Sequence, residues 1–449
     1  MPAAGPSRCT EMATPFPRVS RPTPMVKTIS PWRRPGTHPR LPTRQFQPPP
    51  RRRGDPMKNK TPLIAALALA GTAGSVQAVE LSYSGYMRAG TGVNARGGTQ
   101  VCYQLAGADT KWRLGNECDY VIEPTFNAKL AEYEGSTWNV LVMPSVYHAW
   151  GPAGSNEPDT LTTRFGQIYA YGDKISQLAG GKVWAGRRFY NRLQLGINDQ
   201  FLENNDGNGA GIEDMDLGAA KVSVAFMMDP NNSANENRFA LPIRATGIKT
   251  LPNGDLSIYV TPSAQLKSKN QVTGIEPAKQ PNGIALGLYQ TLNGALGGNW
   301  IFGFKHDKTG DVKNTRIVGQ YGTTIGAGTG LDVIAQYRVN DAPANGGNKW
   351  TSIGARTDTH LSGPFRFLFE AGHDQIKPDA GDTRNMTKFT AALAASAGKE
   401  PGSRPTVRLF VTHAIWNEAA RLTLGGRTQE VFGDKKAGTS LGIQAETWW

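Results

Sequence analysis

Apolar and polar side chains alternate with a period of two in short runs along much of the chain. In the last nine residues, Leu441, Ile443, Ala445 and Trp449 share one parity with Thr447. Gly442, Gln444, Glu446 and Trp448 share the other. Successive side chains of a strand point to opposite faces, so the segment predicts a strand with one mainly apolar and one mainly polar face. The pattern recurs upstream. Leu331, Val333, Ala335 and Tyr337 alternate with Asp332, Gln336 and Arg338, and Phe365, Phe367, Phe369 and Ala371 with Arg366, Glu370 and Gly372. Val407, Leu409 and Val411 alternate with Thr406, Arg408 and Thr412, and Leu256, Ile258 and Val260 with Ser257 and Tyr259. Turn signals separate the runs: Pro252-Asn253-Gly254-Asp255, Lys308-Thr309-Gly310-Asp311 and Asp379-Ala380-Gly381-Asp382.

The start of the chain has a different character. Residues 1–56 carry fourteen prolines and eleven Lys or Arg against Glu11 and Asp55, too little apolar surface to offset the entropy of ordering them. Residues 57–78 have the parts of a secretory signal: Met-Lys-Asn-Lys, a short apolar run over Pro62–Ala70, and Val76 and Ala78 at −3 and −1 of a cleavage point. We therefore expect 1–56 to be a disordered extension preceding the true start at Met57, 57–78 to be removed, and 79–449 to fold. No stretch from Val79 on is long and apolar enough for a transmembrane helix. Two-faced strands that run to the carboxyl terminus behind a signal point to an all-β fold, a transmembrane antiparallel β-barrel of the outer membrane. The 371 residues allow sixteen or eighteen tilted strands of roughly ten residues plus a turn each. Forty-eight of the 53 glycines fall in this region, as many turns and closely packed strands require.

The formal net charge of +13 changes meaning once the chain is divided. Residues 1–78 hold thirteen Lys or Arg and two acids, leaving 36 basic against 34 acidic residues in 79–449. The basic excess belongs to the leader, which removes nucleic acid as a partner. Cys102 and Cys118 remain after Cys9 is set aside; a disulfide tying one loop, worth on the order of 3 kcal/mol, is one reading and two free thiols the other. Gly207-Asn208-Gly209-Ala210-Gly211 lacks the Lys and the strand-to-helix setting of a phosphate loop. Asn204, Asn205, Asp206 and Asn208 lack the closing Glu of a calcium loop, and the histidines have no metal-ligand spacing. His373 and His413 lie on the apolar parity with no nucleophile marked beside them. No catalytic residue, metal or cofactor is expected.

Several segments resemble the maltoporin, or carbohydrate-specific porin, family. They are Gly85-Tyr86-Met87-Arg88, Arg113-Leu114-Gly115-Asn116-Glu117-Cys118, Trp184-Ala185-Gly186-Arg187-Arg188-Phe189-Tyr190-Asn191-Arg192, Gly209-Ala210-Gly211-Ile212-Glu213, Ser403-Arg404-Pro405-Thr406-Val407-Arg408 and the terminal Glu446-Thr447-Trp448-Trp449. They run in family order across 79–449. The resemblance implies a homotrimer of eighteen-stranded barrels in the Gram-negative outer membrane. In each, an inward-folded third loop constricts the pore and a file of aromatic rings guides mono- and oligosaccharides. It also implies a first-loop disulfide, Cys102 with Cys118.

Residue by residue, the resemblance places Tyr86, Trp150 and Trp448 on the aromatic slide. Arg88, Arg113, Glu123, Arg164, Arg192 and Asp199 form a polar track, with Phe201 at the constriction, where the family has Tyr. Val121, Leu361 and Asn314 stand where the family has aromatics. A slide this thin implies a wider or less maltodextrin-selective pore. Parity sends Tyr86 and Trp448 to the lumen and leaves Trp449 and Tyr83 as girdle residues facing outer-membrane lipid. The expected function is passive, facilitated diffusion of sugars. The alternative is a general-diffusion porin of the same fold, with lumen arginines serving ion conduction alone.

Overall fold

The computed structural model describes residues 79–149, 162–228, 238–266, 274, 279–326, 328–344 and 346–449. The expected extension (1–56), the expected signal (57–78) and Trp150 lie outside the described residues.

The alternating runs form β1 (Glu80–Asn94), β2 (Asp119–Tyr133), β3 (Ser136–Ala149), β4 (Thr162–Ile175) and β5 (Gly181–Arg188). A small separate hairpin follows, β6 (Leu193–Leu195) with β7 (Gln200–Glu203). The wall resumes with β8 (Gly207–Asp216), β9 (Lys221–Met228), β10 (Arg238–Ala240), β11 (Ile243–Leu251), β12 (Gly254–Gln265), β13 (Gly283–Ala295), β14 (Gly298–Thr309) and β15 (Val312–Ile325). It ends with β16 (Thr329–Asp341), β17 (Asn348–Ser362), β18 (Phe365–Pro378), β19 (Arg384–Ser396), β20 (Thr406–Trp416) and β21 (Ala437–Trp448).

β10 and β11 both pair with β9 and β12, so they are two pieces of one stave. Pro242 interrupts it because proline brings no N–H to the ladder. The backbone bonds Ala225 N to Pro242 O (3.0 Å) and Leu241 N to Pro262 O (2.9 Å) bridge the break. Counted this way, the wall has eighteen antiparallel staves. β21 closes it on β1, in register from Tyr86 with Trp448 to Asn94 with Ser440. Closure removes every sheet edge, as lipid requires.

Parity sorts the two faces. Leu81, Tyr83, Ile317, Ile353, Phe367, Leu409 and Leu441 are exposed on the outer face, while Glu370, Thr390, Thr412 and Ser440 on the other parity are fully buried inside. The turn signal at Pro252-Asn253 joins β11 to β12 and that at Gly310-Asp311 joins β14 to β15, while 379–383 joins β18 to β19. Short turns such as 134–135, 252–253 and 363–364 mark one end of the barrel. The segments 95–118, 189–206 and 417–436 leave from the other, so the first end is periplasmic and the second extracellular.

The lumen face is not uniformly polar, in contrast to the alternation expected from the sequence. Trp350, Ile376, Ile334 and Val318 occupy lumen positions and are buried. The reason is that two of the long segments fold inward. Val101, Tyr103 and Leu105 of segment 95–118 pack on Trp350, Ile376, Met386 and Trp416, and Phe432 of helix α1 (Gly426–Phe432) joins them. Trp112 packs with Leu195, Ile197 and Leu202 of the small hairpin against Tyr259, Tyr289, Val318 and Ile334. Gly354 and Gly372, opposite one another on β17 and β18, leave the space that the Trp112 ring fills; a methyl group at either would overlap it.

Candidate functional site

Three neighbouring staves place a row of side chains at one height on the lumen wall. Trp448 on β21 lies opposite Tyr86 on β1, and Tyr86 lies opposite Glu123 on β2. One step along, Arg88 lies between Glu446 and Val121. The sequence-derived lumen assignment of Tyr86 and Trp448 agrees with this register. Their outward neighbours agree too: Tyr83 contacts Phe126 and Trp449, with ring centroids 5.2 and 5.5 Å apart, all on the lipid face.

Glu446 is the centre of the row. Its carboxylate accepts from Tyr86 Oη (2.8 Å) and pairs with Arg408 (2.6 Å), Arg404 (3.1 Å) and Arg113 (3.7 Å). Arg88 donates to Asp119 (2.7 Å) and to Tyr86 Oη (2.9 Å) and pairs with Glu117 (2.9 Å). Arg113 and Lys111 also reach Glu117, at 2.9 and 3.6 Å, and Arg113 reaches Asp199 at 3.8 Å. Burial alone would push the Glu117 carboxyl up, but Lys111, Arg113 and Arg88 outweigh it and hold the group down at about 2. Nearly every charge here is matched by an opposite one, as buried charges require.

One ring stays open amid this lattice. Trp448 is 53% exposed, with the Arg404 guanidinium 4.4 Å from its ring centroid. It borders a recess of about 240 Å³ whose rim includes Arg113, Glu117, Asp332, Arg356, Arg408 and Glu446. The inward segment 95–118 forms one side. It is tied by the Cys102–Cys118 disulfide, and Leu114 is clamped by Glu370 (N–H to Oε1, 3.0 Å) and by Lys388 (Nζ to O, 3.0 Å). The small hairpin forms another, held by Arg356 on Ile197 O (3.0 Å), Tyr289 on Leu202 O (3.2 Å) and Lys305 on Glu203 (3.0 Å).

Of the other sequence-derived residues, Arg192, Phe201 and Arg164 form a second group. Arg192 pairs with Asp206 and lies over Phe189 (3.3 Å) and Phe201 (5.2 Å). Arg164 is exposed and borders a recess of about 180 Å³ with Arg187, Arg188, Phe189 and Asp206. Asp199 accepts from Gln194 and is the link to Arg113 in the first group. Glu123 accepts from Ser145 (3.0 Å). Val121 is half-buried in the lumen beside Arg88, Asn314 donates to Asp307 (3.0 Å), and Leu361 is exposed at the β17 end.

Sequence reasoning missed Glu446, Arg408, Arg404 and Arg356 as site residues. Parity could have found Arg408, which shares a face with Thr406 and Thr412, and Glu446, which shares one with Trp448. Arg404 lies in a segment that carries the family resemblance, but no strand parity gives it a face, because it reaches the site from the turn before β20. Of the lipid-facing histidines, His373 pairs with Thr387 and His413 with Thr439, each at 2.8 Å.

A family model described as LamB porin matches residues 81–449. Among solved structures, a BenF-like porin from Pseudomonas fluorescens Pf-5 aligns at 11% identity and TM-score 0.51, over 82% of this chain and 99% of that one. The outer membrane protein opdK from Pseudomonas aeruginosa aligns at 10% identity and TM-score 0.49, over 82% and 99%. At such identities the first similarity speaks to the barrel fold alone. The match across the whole wall carries the assignment: this chain belongs to the LamB porin family and crosses the Gram-negative outer membrane as an eighteen-stranded barrel.

Proposed function

We propose that the barrel is a channel for facilitated diffusion of sugars, with Trp448 and Tyr86 as its aromatic contacts. Arg88, Arg113, Glu123, Arg164, Arg192 and Asp199 form its polar track, and Phe201 stands at the constriction. The observation that carries this reading is the open Trp448 ring above a recess rimmed by paired charges. A pyranose has a C–H face and an equatorial rim of hydroxyls. The ring covers the face, and carboxylates and guanidinium groups exchange hydrogen bonds with the rim. Because the charges are already paired, they are held in place before a sugar arrives. Weak sites in series let a solute enter without being trapped.

A general-diffusion porin is the second reading. It is favoured by the non-aromatic Val121, Asn314 and Leu361 and by Phe201, which offers no hydroxyl. Single-channel conductance in a planar bilayer, titrated with maltose, maltotriose and sucrose, separates the two. Saturable block that weakens in Trp448→Ala supports the sugar channel; open channels that no sugar blocks leave general diffusion. We further propose a homotrimer, on the family resemblance, tested by mass measurement of the detergent-extracted protein.

A further inference from the structure

The outer face carries a charge arrangement that the pore does not use. Lys308 on β14 lies directly opposite Lys313 on β15, and Lys349 on β17 directly opposite Lys377 on β18. All four are exposed. Their parity is that of Phe302, Ile317, Ile353 and Phe367, the lipid-facing set. Each pair is the second in its ladder, one step below the extracellular connections 310–311 or 342–347 and 379–383.

Like charges directly opposite on one sheet face disfavour the pairing. Here it happens twice within five consecutive staves, a width of roughly 19 Å at ~4.8 Å per strand. One carboxylate on that face, Asp341, reaches Lys313 at 3.6 Å. Asp311, Asp379 and Asp382 lie in the connections beyond, and Asp379 accepts from Gly347 N. By contrast, the outward positions of β19, β20, β21 and β1 hold no Lys or Arg at all. They are Asn385 to Ala395, Val407 to Ile415, Ala437 to Thr447 and Leu81 to Val93, each taken at every second residue.

Below these cations the outward positions pass through His306, Thr315, Thr351 and Gln375 to the exposed Phe302, Ile317, Ile353 and Phe367, and cations above a polar step and an apolar band match the profile of an anionic lipid, phosphate above acyl chain. We infer that the outward face of β14–β18 is a docking surface for phosphate-bearing lipid headgroups of the outer leaflet, with Lys308/Lys313 and Lys349/Lys377 as two clamps. A phosphate between the ammonium groups of a pair turns the cross-strand repulsion into two charge-assisted hydrogen bonds. Lys suits this role as a compact point charge on a flexible stem. The inference is independent of which solute the pore passes.

The test uses the detergent-extracted protein and native mass spectrometry with a bisphosphorylated diglucosamine lipid as probe. The same glycolipid without phosphates is the control, and inorganic phosphate is the competitor. The variants are the quadruple changes to Gln (Lys308→Gln, Lys313→Gln, Lys349→Gln, Lys377→Gln) and to Arg at the same positions. Heat-modifiable gel mobility and unchanged conductance verify that each is folded. We expect the Gln variant to retain about ten-fold less phosphorylated lipid than wild type and the Arg variant to retain it in full. Equal retention by wild type and the folded Gln variant overturns the inference, as does equal retention of the phosphate-free lipid. Displacement of the lipid by millimolar inorganic phosphate would mark a free-phosphate site and overturn the lipid assignment. If the Gln variant fails to fold, single-pair variants at Lys308/Lys313 and at Lys349/Lys377 are each expected to lose part of the binding; no loss in either overturns it.

Discussion

Two clusters on the lumen wall are built from the same residue types and come out differently. Around Glu446, Trp448 and Tyr86 share the site with Arg88, Arg113, Arg404 and Arg408, and the Trp448 ring stays open. Around Glu213, Trp184 and Tyr190 share theirs with Arg188 and Arg244, and both rings are closed off, at 2% and 0% exposure. There the Arg188 guanidinium lies 4.7 Å from Trp184, 4.8 Å from Tyr169 and 5.3 Å from Tyr190, and donates to Glu213 at 2.6 Å. What separates them is the chain beyond β5, which folds back with Tyr190 over Trp184, whereas among the described residues no segment covers Trp448. An aromatic ring beside arginines is thus a packing unit in one place and a candidate solute surface in the other.

The largest expected effect falls on the closed cluster. Trp184→Ala removes a fully packed ring and is expected to cost about 3–5 kcal/mol of stability. Urea unfolding of the vesicle-inserted protein, followed by gel mobility, measures it. A loss below 1 kcal/mol would erase the distinction between the clusters. Replacing Cys102 and Cys118 by Ser is expected to cost on the order of 3 kcal/mol in the same assay and to loosen the wall of the open recess.

Glu117 ties the open cluster to segment 95–118, and its pH dependence has a defined sign. Its folded value, about 2, lies below its ordinary 4.5, so its contribution is fully present above that ordinary range and is lost as pH falls toward about 2. Lowering the pH from 4.5 to 2 should therefore reduce the unfolding midpoint of wild type more than that of Glu117→Gln. Parallel curves would remove Glu117 as an electrostatic anchor.

Trp448→Ala should leave stability unchanged, because the ring is exposed, yet weaken sugar block about ten-fold, or ~1.4 kcal/mol. Arg404→Ala, which frees one side of that ring, should shift block by no more than about five-fold, in line with a cation–π contact. A stability loss in Trp448→Ala comparable to that of Trp184→Ala would show that its ring, too, is structural.

Much of the barrel was legible beforehand. The period-two runs gave the strand faces, and the turn signals at Pro252-Asn253 and Gly310-Asp311 fell between strands. Length narrowed the count to sixteen or eighteen, and pairing set it at eighteen. Of the site, the adjacency of Tyr86 and Trp448 rests on register across the closing seam, between residues at opposite ends of the barrel sequence. Parity gave each residue its face but not its neighbour. The role of Trp112 was not legible, since an isolated loop tryptophan carries no periodic signal.

Alternation alone determined that this chain would make two-faced strands, because a strand's side chains have no other choice than to alternate. It determined equally that no helix from Val79 onward would cross the membrane, since no apolar run is long enough. Which lumen side chains are covered, which charges meet and which ring stays open was decided only in three dimensions. Those outcomes depend on where segments 95–118 and 189–206 fold against a wall assembled from the whole chain. Contacts of that kind join residues hundreds of positions apart, and local pattern carries no information about them.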